Sequence, residues 1–298
     1  MELTEIEIKF NKLKIPNDLE YPELLKYLKE GVENALQFSQ NVDNTFFHQE
    51  WNSEEIANSV NHDIPSKSIE FKSQLTFIKE KLIPYFPSTG SSSFLAYVPS
   101  DPMPQSMIIA ALTPFFNQFV GSVQGSPGGT AIESLVIRWI AQLLDLPESA
   151  FGCFTSGGSM ANLTGIYTGL IHQLMKNGID FKEDGLIGSK RPRIYISDQT
   201  HNAIEKAILV LGLGYNSIHK IKTEDDYRLT KELVEKAIKL DVEEFGDTII
   251  PLMIVGTAGT TNTGAIDDLN GLRELCDKYD LWFHIDGAYG AFSKLSDL

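Results

Sequence analysis

The chain has 298 residues, 42% of them apolar and 22% charged, enough apolar material for a substantial buried core. Its formal net charge of −15 argues against nucleic acid as a main partner, because phosphates need a basic face. Cys153 and Cys276 are too few for a disulfide framework and fit a reducing cytoplasm, and neither a signal-peptide pattern nor an apolar run of membrane-spanning length is present. The expectation is a cytoplasmic protein with no membrane partner.

Residues 1–20 are polar and charged and read as an arm. From Glu23 to about Asn44, Leu24, Leu25, Tyr27, Leu28, Val32, Ala35 and Leu36 recur at helical spacing. A second helix is predicted from Ser68 to Ile83, with Ile69, Leu75, Ile78 and Leu82 as its apolar stripe and Pro84 as its stop. The Pro-, Ser- and Gly-rich stretch 87–93 is a loop by composition. The division is placed there: residues 1–90 form a helical segment and residues 91–298 the main domain. Phe94 to Pro99 reads as extended, either a core edge or, through Phe94, Leu95, Tyr97 and Val98, the lining of a pocket for an apolar substrate. Residues 104–120 and 130–144 are predicted helices, joined by a glycine-rich loop able to approach a ligand closely.

Beyond residue 150 the pattern alternates. Cys153-Phe154 is expected to end a short strand, with a helix through Leu163, Ile166 and Leu170 behind it. Ile194 to Ile196 reads as a strand before a helix from about Asn202, and Ile218 to Ile221 as another before a helix over 231–240. Ile249 to Val255 is a strongly apolar strand. Asp267 or Asp268 then caps a helix through Leu272, Leu275 and Cys276 that leads to a last strand at Leu281. Strand and helix in strict succession predict an α/β fold, a mainly parallel sheet with helices on both faces. Ligands of such sheets sit beyond the carboxyl ends of the strands.

Four loops therefore carry the chemistry. Thr155-Ser156-Gly157-Gly158-Ser159 opens a helix, where converging N–H groups and the Ser159 hydroxyl make a cradle for an anion, most simply a phosphate. An ordinary serine cap explains the same residues, and Gly157 to Ala161 also has the spacing of a hydrolase nucleophile elbow, though without that fold's oxyanion loop. His201 stands where a strand hands over to a helix and is placed to stack on a planar ring; the scattered histidines show no metal-ligand spacing. The loop 256–264 supplies four threonines and three glycines after a buried strand. The stretch Leu281 to Ala291 ends its strand in His284 and Asp286, followed by the small residues Gly287, Ala288 and Gly290. A carboxylate at a buried strand end needs a positive partner, and this one faces a flat protonated ligand with a methyl-sized neighbour, unless it merely caps the next turn.

Those four motifs, in this order and spacing over roughly residues 85–298, resemble the group II pyridoxal-phosphate-dependent amino-acid decarboxylases, with the nearest likeness to bacterial tryptophan and aromatic-amino-acid members. The resemblance implies the large domain of the fold type I architecture, pyridoxal 5′-phosphate as cofactor, an L-amino acid (aromatic by the nearest likeness) as substrate, and a homodimer. It implies that Gly158 and Ser159 hold the phosphate, that His201 and Ala288 pack on opposite faces of the pyridine ring, that Asp286 pairs with the ring nitrogen and that Thr261 hydrogen-bonds nearby. His201 and Asp286 are its catalytic candidates. Ser91-Ser92 stands where the family usually has His-Pro, Met160 where many members carry Glu, and Gly287 where Ala is common. The family's Schiff-base lysine, in a His-Lys-Trp-like motif downstream of the Asp, has no counterpart before Leu298, since Lys294 reads as a surface lysine, and no small C-terminal domain follows. The expectation is accordingly part of a longer or split enzyme, with a separate C-terminal fragment as one partner. The alternatives are a truncated non-catalytic protein that binds the cofactor or a partner, and another reaction on the same cofactor, such as transamination.

Overall fold

The computed structural model of the chain describes residues 21–44, 52–61, 63, 66–100, 103–186 and 190–296; the arm expected over residues 1–20 lies outside them. Residues 1–107 and 108–298 form two compact units.

In the second unit, four apolar runs form one parallel sheet: β1 (Arg191–Ser197), β2 (Ile218–Ile221), β3 (Ile249–Thr257) and β4 (Trp282–Asp286), in the order β2-β1-β3-β4. Because all four run the same way, their carboxyl ends share one edge, where the register sets Thr257 opposite Asp286. Strand alternation splits the core in two. Ile194, Ile196, Met253 and Val255 pack against one helical layer, and Tyr195 and Ile254 belong to the core on the other face.

The first layer holds α6 (Gly158–Lys176) and α8 (Asn202–Val210), which bury Ile166, Leu170 and Leu174 and Ile204, Ala207 and Ile208 at helical spacing. The second holds α9 (Lys231–Phe245) and α10 (Leu269–Tyr279), with Val234, Ala237, Ile238, Leu272, Leu275 and Cys276 inward. Thr230 and Asp268 cap these two helices through Leu233 N and Gly271 N, and Asp280 ends α10 in the left-handed conformation (φ 57°). Helices thus cover both faces of the parallel sheet, as the alternation predicts.

Upstream, α5 (Pro127–Leu143) begins three residues earlier than predicted: Pro127 takes the first helical position and Ser126 accepts from Gly129 N. Gly128 and Gly129, expected in a flexible loop, therefore belong to its first turn. No strand forms at Cys153-Phe154. Phe154 N donates to the Glu133 carboxylate instead, and Phe151 and Phe154 are exposed, so two apolar residues without a ladder partner did not make a strand. A single turn, α7 (Phe181–Asp184), precedes β1.

The first unit contains α1 (Tyr21–Gln40), α2 (Ser53–Val60) and α3 (Phe71–Phe77), and the division falls inside α4 (Pro104–Phe116). α2 was not anticipated; Asn52 caps it and Glu54 and Glu55 fill its first turn. The helix predicted through Ile83 widens to a π-turn over Ile78–Leu82 and tightens to a 3-10 turn at Ile83–Tyr85, where Pro84 cannot continue the ladder. α4 stops four residues short of its predicted end because Asn117 turns left-handed (φ 41°). Leu95 and Tyr97 are almost fully exposed and Val98 partly so, which excludes the core-edge reading for them. Asp43 gathers the Ser91 and Ser92 hydroxyls and Ser92 N, which hold its carboxyl below the usual range.

Candidate active site

Each sequence-predicted residue lies at or beyond the carboxyl edge of the sheet or at the start of α6. Gly157, the residue before α6, has φ 156°, which L side chains rarely adopt, and no side chain caps the helix. Gly158 and Ser159 are exposed there, and a Cβ on Gly158 would meet nothing within 4 Å. Uncapped N–H groups beside open space can receive an anion. Ser159 makes no hydrogen bond to a histidine among the described residues, which leaves the hydrolase alternative without its base.

About two turns further along, α6 presses unusually close to β4. A Cβ on Gly165 would lie 2.7 Å from His284 Cε1, and one on Gly169 only 2.4 Å from Trp282 Cδ1. Glycines at this i, i+4 spacing let the helix approach until Asn162 reaches the strand end. Asn162 Nδ2 donates to Asp286 Oδ2 at 3.0 Å, and Asn162 Oδ1 lies 2.8 Å from His284 Nε2. Ala288 N donates to Asp286 Oδ1 at 3.1 Å. Asp286 is 8% exposed and takes part in no ion pair among the described residues. Burial holds His284 below the usual imidazole range, opposed in smaller measure by the charge of Asp286.

The neighbouring loops are stitched to this corner. Ala258 N donates to Asp286 O and Gly290 N to Ala258 O, an approach so tight that a Cβ on Gly290 would meet Ala258 O at 2.4 Å. Asp267 accepts from Leu229 N and Thr257 N and fixes the end of β3; burial pushes its carboxyl up, only partly offset by those two donors. Thr260 is buried and pairs its hydroxyl with Thr263, whereas Thr261 is exposed. Thr257, beside Asp286 in register, is 4% exposed and its Oγ1 has no partner among the described residues. Beyond β1, Asp198 accepts from Thr223 N and Oγ1 and locks the loop that carries His201. His201 Nδ1 accepts from Ala203 N, so the imidazole caps α8 while its ring stays exposed. Lys294 is paired with Asp145 at the surface.

The sequence alone assigns no role to Asn162 or His284, and counts Thr257 only among the four threonines of loop 256–264. The usable signal was the helical spacing of Asn162, Gly165 and Gly169, small or polar residues along a face otherwise filled by Ile166 and Leu170. A buried acid without a cation, an uncapped helix start, an exposed imidazole and an orphaned buried hydroxyl form a donor set that fits a group with a phosphate at one end and a basic ring nitrogen at the other.

Sheet, helical layers and carboxyl-edge site together define the large domain of a fold type I pyridoxal-phosphate protein. The profile described as the pyridoxal-dependent decarboxylase conserved domain matches residues 54–294, and the chain belongs to that family, whose cofactor is pyridoxal phosphate. It is 33% identical over 242 residues to the aromatic-L-amino-acid decarboxylase of Bacillus atrophaeus, covering 81% of this chain and 48% of that protein. Among solved structures it is similar to the glutamate decarboxylase domain of a Vibrio parahaemolyticus diaminobutyrate-pyruvate transaminase and L-2,4-diaminobutyrate decarboxylase (TM-score 0.85, 26% identity, 94% of this chain, 61% of that one). It shares the fold of Oryza sativa TDC, solved with PLP and tryptamine (TM-score 0.83, 23% identity, 94% of this chain, 60% of that one). The chain thus spans about half the length of the curated relatives it matches.

Proposed function

We propose that the chain supplies the cofactor-holding part of an enzyme that decarboxylates an aromatic L-amino acid to its amine and CO2. The observation that carries this reading is Asp286, a buried carboxylate with two hydrogen-bond donors and no cation among the described residues. Such an acid is costly without a positive partner, and a protonated pyridine nitrogen is one. The aromatic substrate class is supported by the identity to the Bacillus decarboxylase.

In this reading, Gly158 and Ser159 hold the phosphate, His201 and Ala288 lie against opposite faces of the pyridine ring, and Thr261 adds a hydroxyl. When bound, pyridoxal phosphate supplies an electron sink for the pair left behind as CO2 departs. Asp286 keeps a proton at the ring nitrogen, since its charge favours the protonated form of that atom. His201, with Nδ1 accepting from Ala203 N, carries its proton on Nε2, the atom available to donate. We further propose a cytoplasmic homodimer, with residues 91–298 as the cofactor-binding domain.

The test is a panel of L-amino acids scored for CO2 and amine, using the protein in the form the cell makes. CO2 with the matching amine from an aromatic substrate, abolished by Asp286→Ala, is expected. An aldehyde, or a keto acid without CO2, would replace decarboxylation with another reaction on the same cofactor. Unchanged turnover by Asp286→Ala would sink the reading.

A further inference from the structure

Asn162 stands between two groups that never touch it in the sequence, and the chemistry of its amide dictates the state of both. An ionised carboxylate only accepts hydrogen bonds, so Asn162 must offer Nδ2 to Asp286 and is left with Oδ1 toward His284. That oxygen can only accept, so the proton of the neutral imidazole must sit on Nε2. Burial disfavours the charged imidazole as well. A neutral His284 adds no positive charge next to Asp286, whose full charge stays available for a cationic ligand.

We propose that Asn162 is a positioning residue for Asp286, and that Asn162, His284 and Asp286 work as one unit, in which the amide fixes the carboxylate's orientation and holds His284 as the neutral Nε2–H tautomer. The unit depends on Gly165 and Gly169, because a Cβ at either position would lift α6 away from His284 or Trp282 and draw Asn162 out of reach. The inference rests on the cofactor reading above and says how Asp286 is aimed at the ring nitrogen.

The test compares binding of pyridoxal 5′-phosphate with that of its 1-deaza analogue, which has carbon in place of the ring nitrogen, to the protein in the form the cell makes. The wild-type chain is expected to prefer pyridoxal phosphate. In Asn162→Ala that preference should fall about tenfold or more, the size of one lost hydrogen bond to a charged group, with the carbon analogue's affinity nearly unchanged. Asn162→Asp keeps the side-chain volume but cannot donate to Asp286, and should show the same loss. Equal weakening of both ligands, or no weakening, would overturn the positioning role. If the wild type binds pyridoxal phosphate without preferring it, the inference fails while cofactor binding stands; if it binds neither ligand, the cofactor reading itself fails and takes the inference with it. A second measurement does not depend on ligand or on variant stability. Histidine ring-nitrogen NMR of the wild-type chain should show a neutral Nε2–H tautomer for His284, identified by its loss in His284→Gln. An Nδ1–H tautomer or an imidazolium at neutral pH would overturn the proposal.

Discussion

The Asn162 amide and the Asp286 carboxylate meet at 3.0 Å across 124 positions of sequence. This bond joins the start of α6, where an anion can be received, to the end of β4, where a cation is wanted. Ser159 lies three residues before Asn162, so the two ends of the candidate site are separated by about 4.5 Å of helix axis, plus side-chain reach.

The closeness of α6 and β4 predicts a steric cost. In Gly169→Ala the new methyl would collide with the Trp282 ring, and overpacking of this kind costs about 1–3 kcal/mol. The urea midpoint should fall with an unchanged denaturant slope. A midpoint equal to wild type would show that helix and strand separate freely.

His201 is assigned two jobs that substitutions can part. Its Nδ1 caps α8 by accepting from Ala203 N, and its ring is exposed at the carboxyl edge. Asparagine preserves a capping acceptor but removes the ring, so His201→Asn should keep stability and weaken cofactor binding. His201→Ala should weaken binding and also lose about 1 kcal/mol of stability. Thermal unfolding and cofactor titration of the pair read the two effects separately.

The partly buried imidazole at His284 predicts a pH dependence. Its folded pKa lies below the unfolded one, so the unfolded chain takes up the proton first as pH falls. The stability is complete above about pH 6.5 and declines as pH drops through that value toward the folded pKa. Denaturant midpoints at about pH 7.5 and about pH 5.5 should differ, and His284→Gln should reduce the difference. An identical pH response in the variant would assign the effect to another group.

On the far face of the sheet, Arg193 grips Asp241 through Nε at 2.7 Å and Nη2 at 3.0 Å, and His219 Nδ1 lies 2.9 Å from the same carboxylate. Burial pulls the Asp241 carboxyl up, yet Arg193 and His219 together hold it below the usual range. Removing Arg193 leaves the buried Asp241 carboxylate with His219 as its one remaining side-chain partner among the described residues, so Arg193→Met should cost about 3 kcal/mol, whereas adding Asp241→Leu should recover much of it. Equilibrium unfolding of the single and double variants decides the point. The contribution of Asp241 itself is present above the unfolded carboxylate value of about 3.9 and is lost as pH falls through the lower folded value.

The sequence made the sheet readable where apolar runs were long. Ile249–Thr257 is a strand because burial on both faces demands such a run, whereas Trp282–Asp286 ends the sheet order only partly buried, with Ile285 exposed; the polar turns after both mark the ligand edge. It misled at Cys153-Phe154, where two apolar residues carry too little periodicity to specify a ladder. It hid α2, whose signal is a cap and two acids rather than an apolar stripe. The residues of the four loops were visible as chemistry-bearing types, and Asp286 as an acid in need of a partner. The role of Asn162 was not, because it exists only once Gly165 and Gly169 bring α6 down onto β4, and a contact over that separation leaves no local trace.

The parallel order β2-β1-β3-β4 also has a kinetic consequence. β4 pairs with β3 across the crossover that contains α10, and Asp286 meets Asn162 only when the chain between them has closed a long loop. A ligand that needs Asp286 therefore binds the completed sheet and none of its precursors. Such a ligand draws the population toward the finished state by mass action. In this chain, occupancy of the carboxyl edge and completion of folding would be one measurable equilibrium.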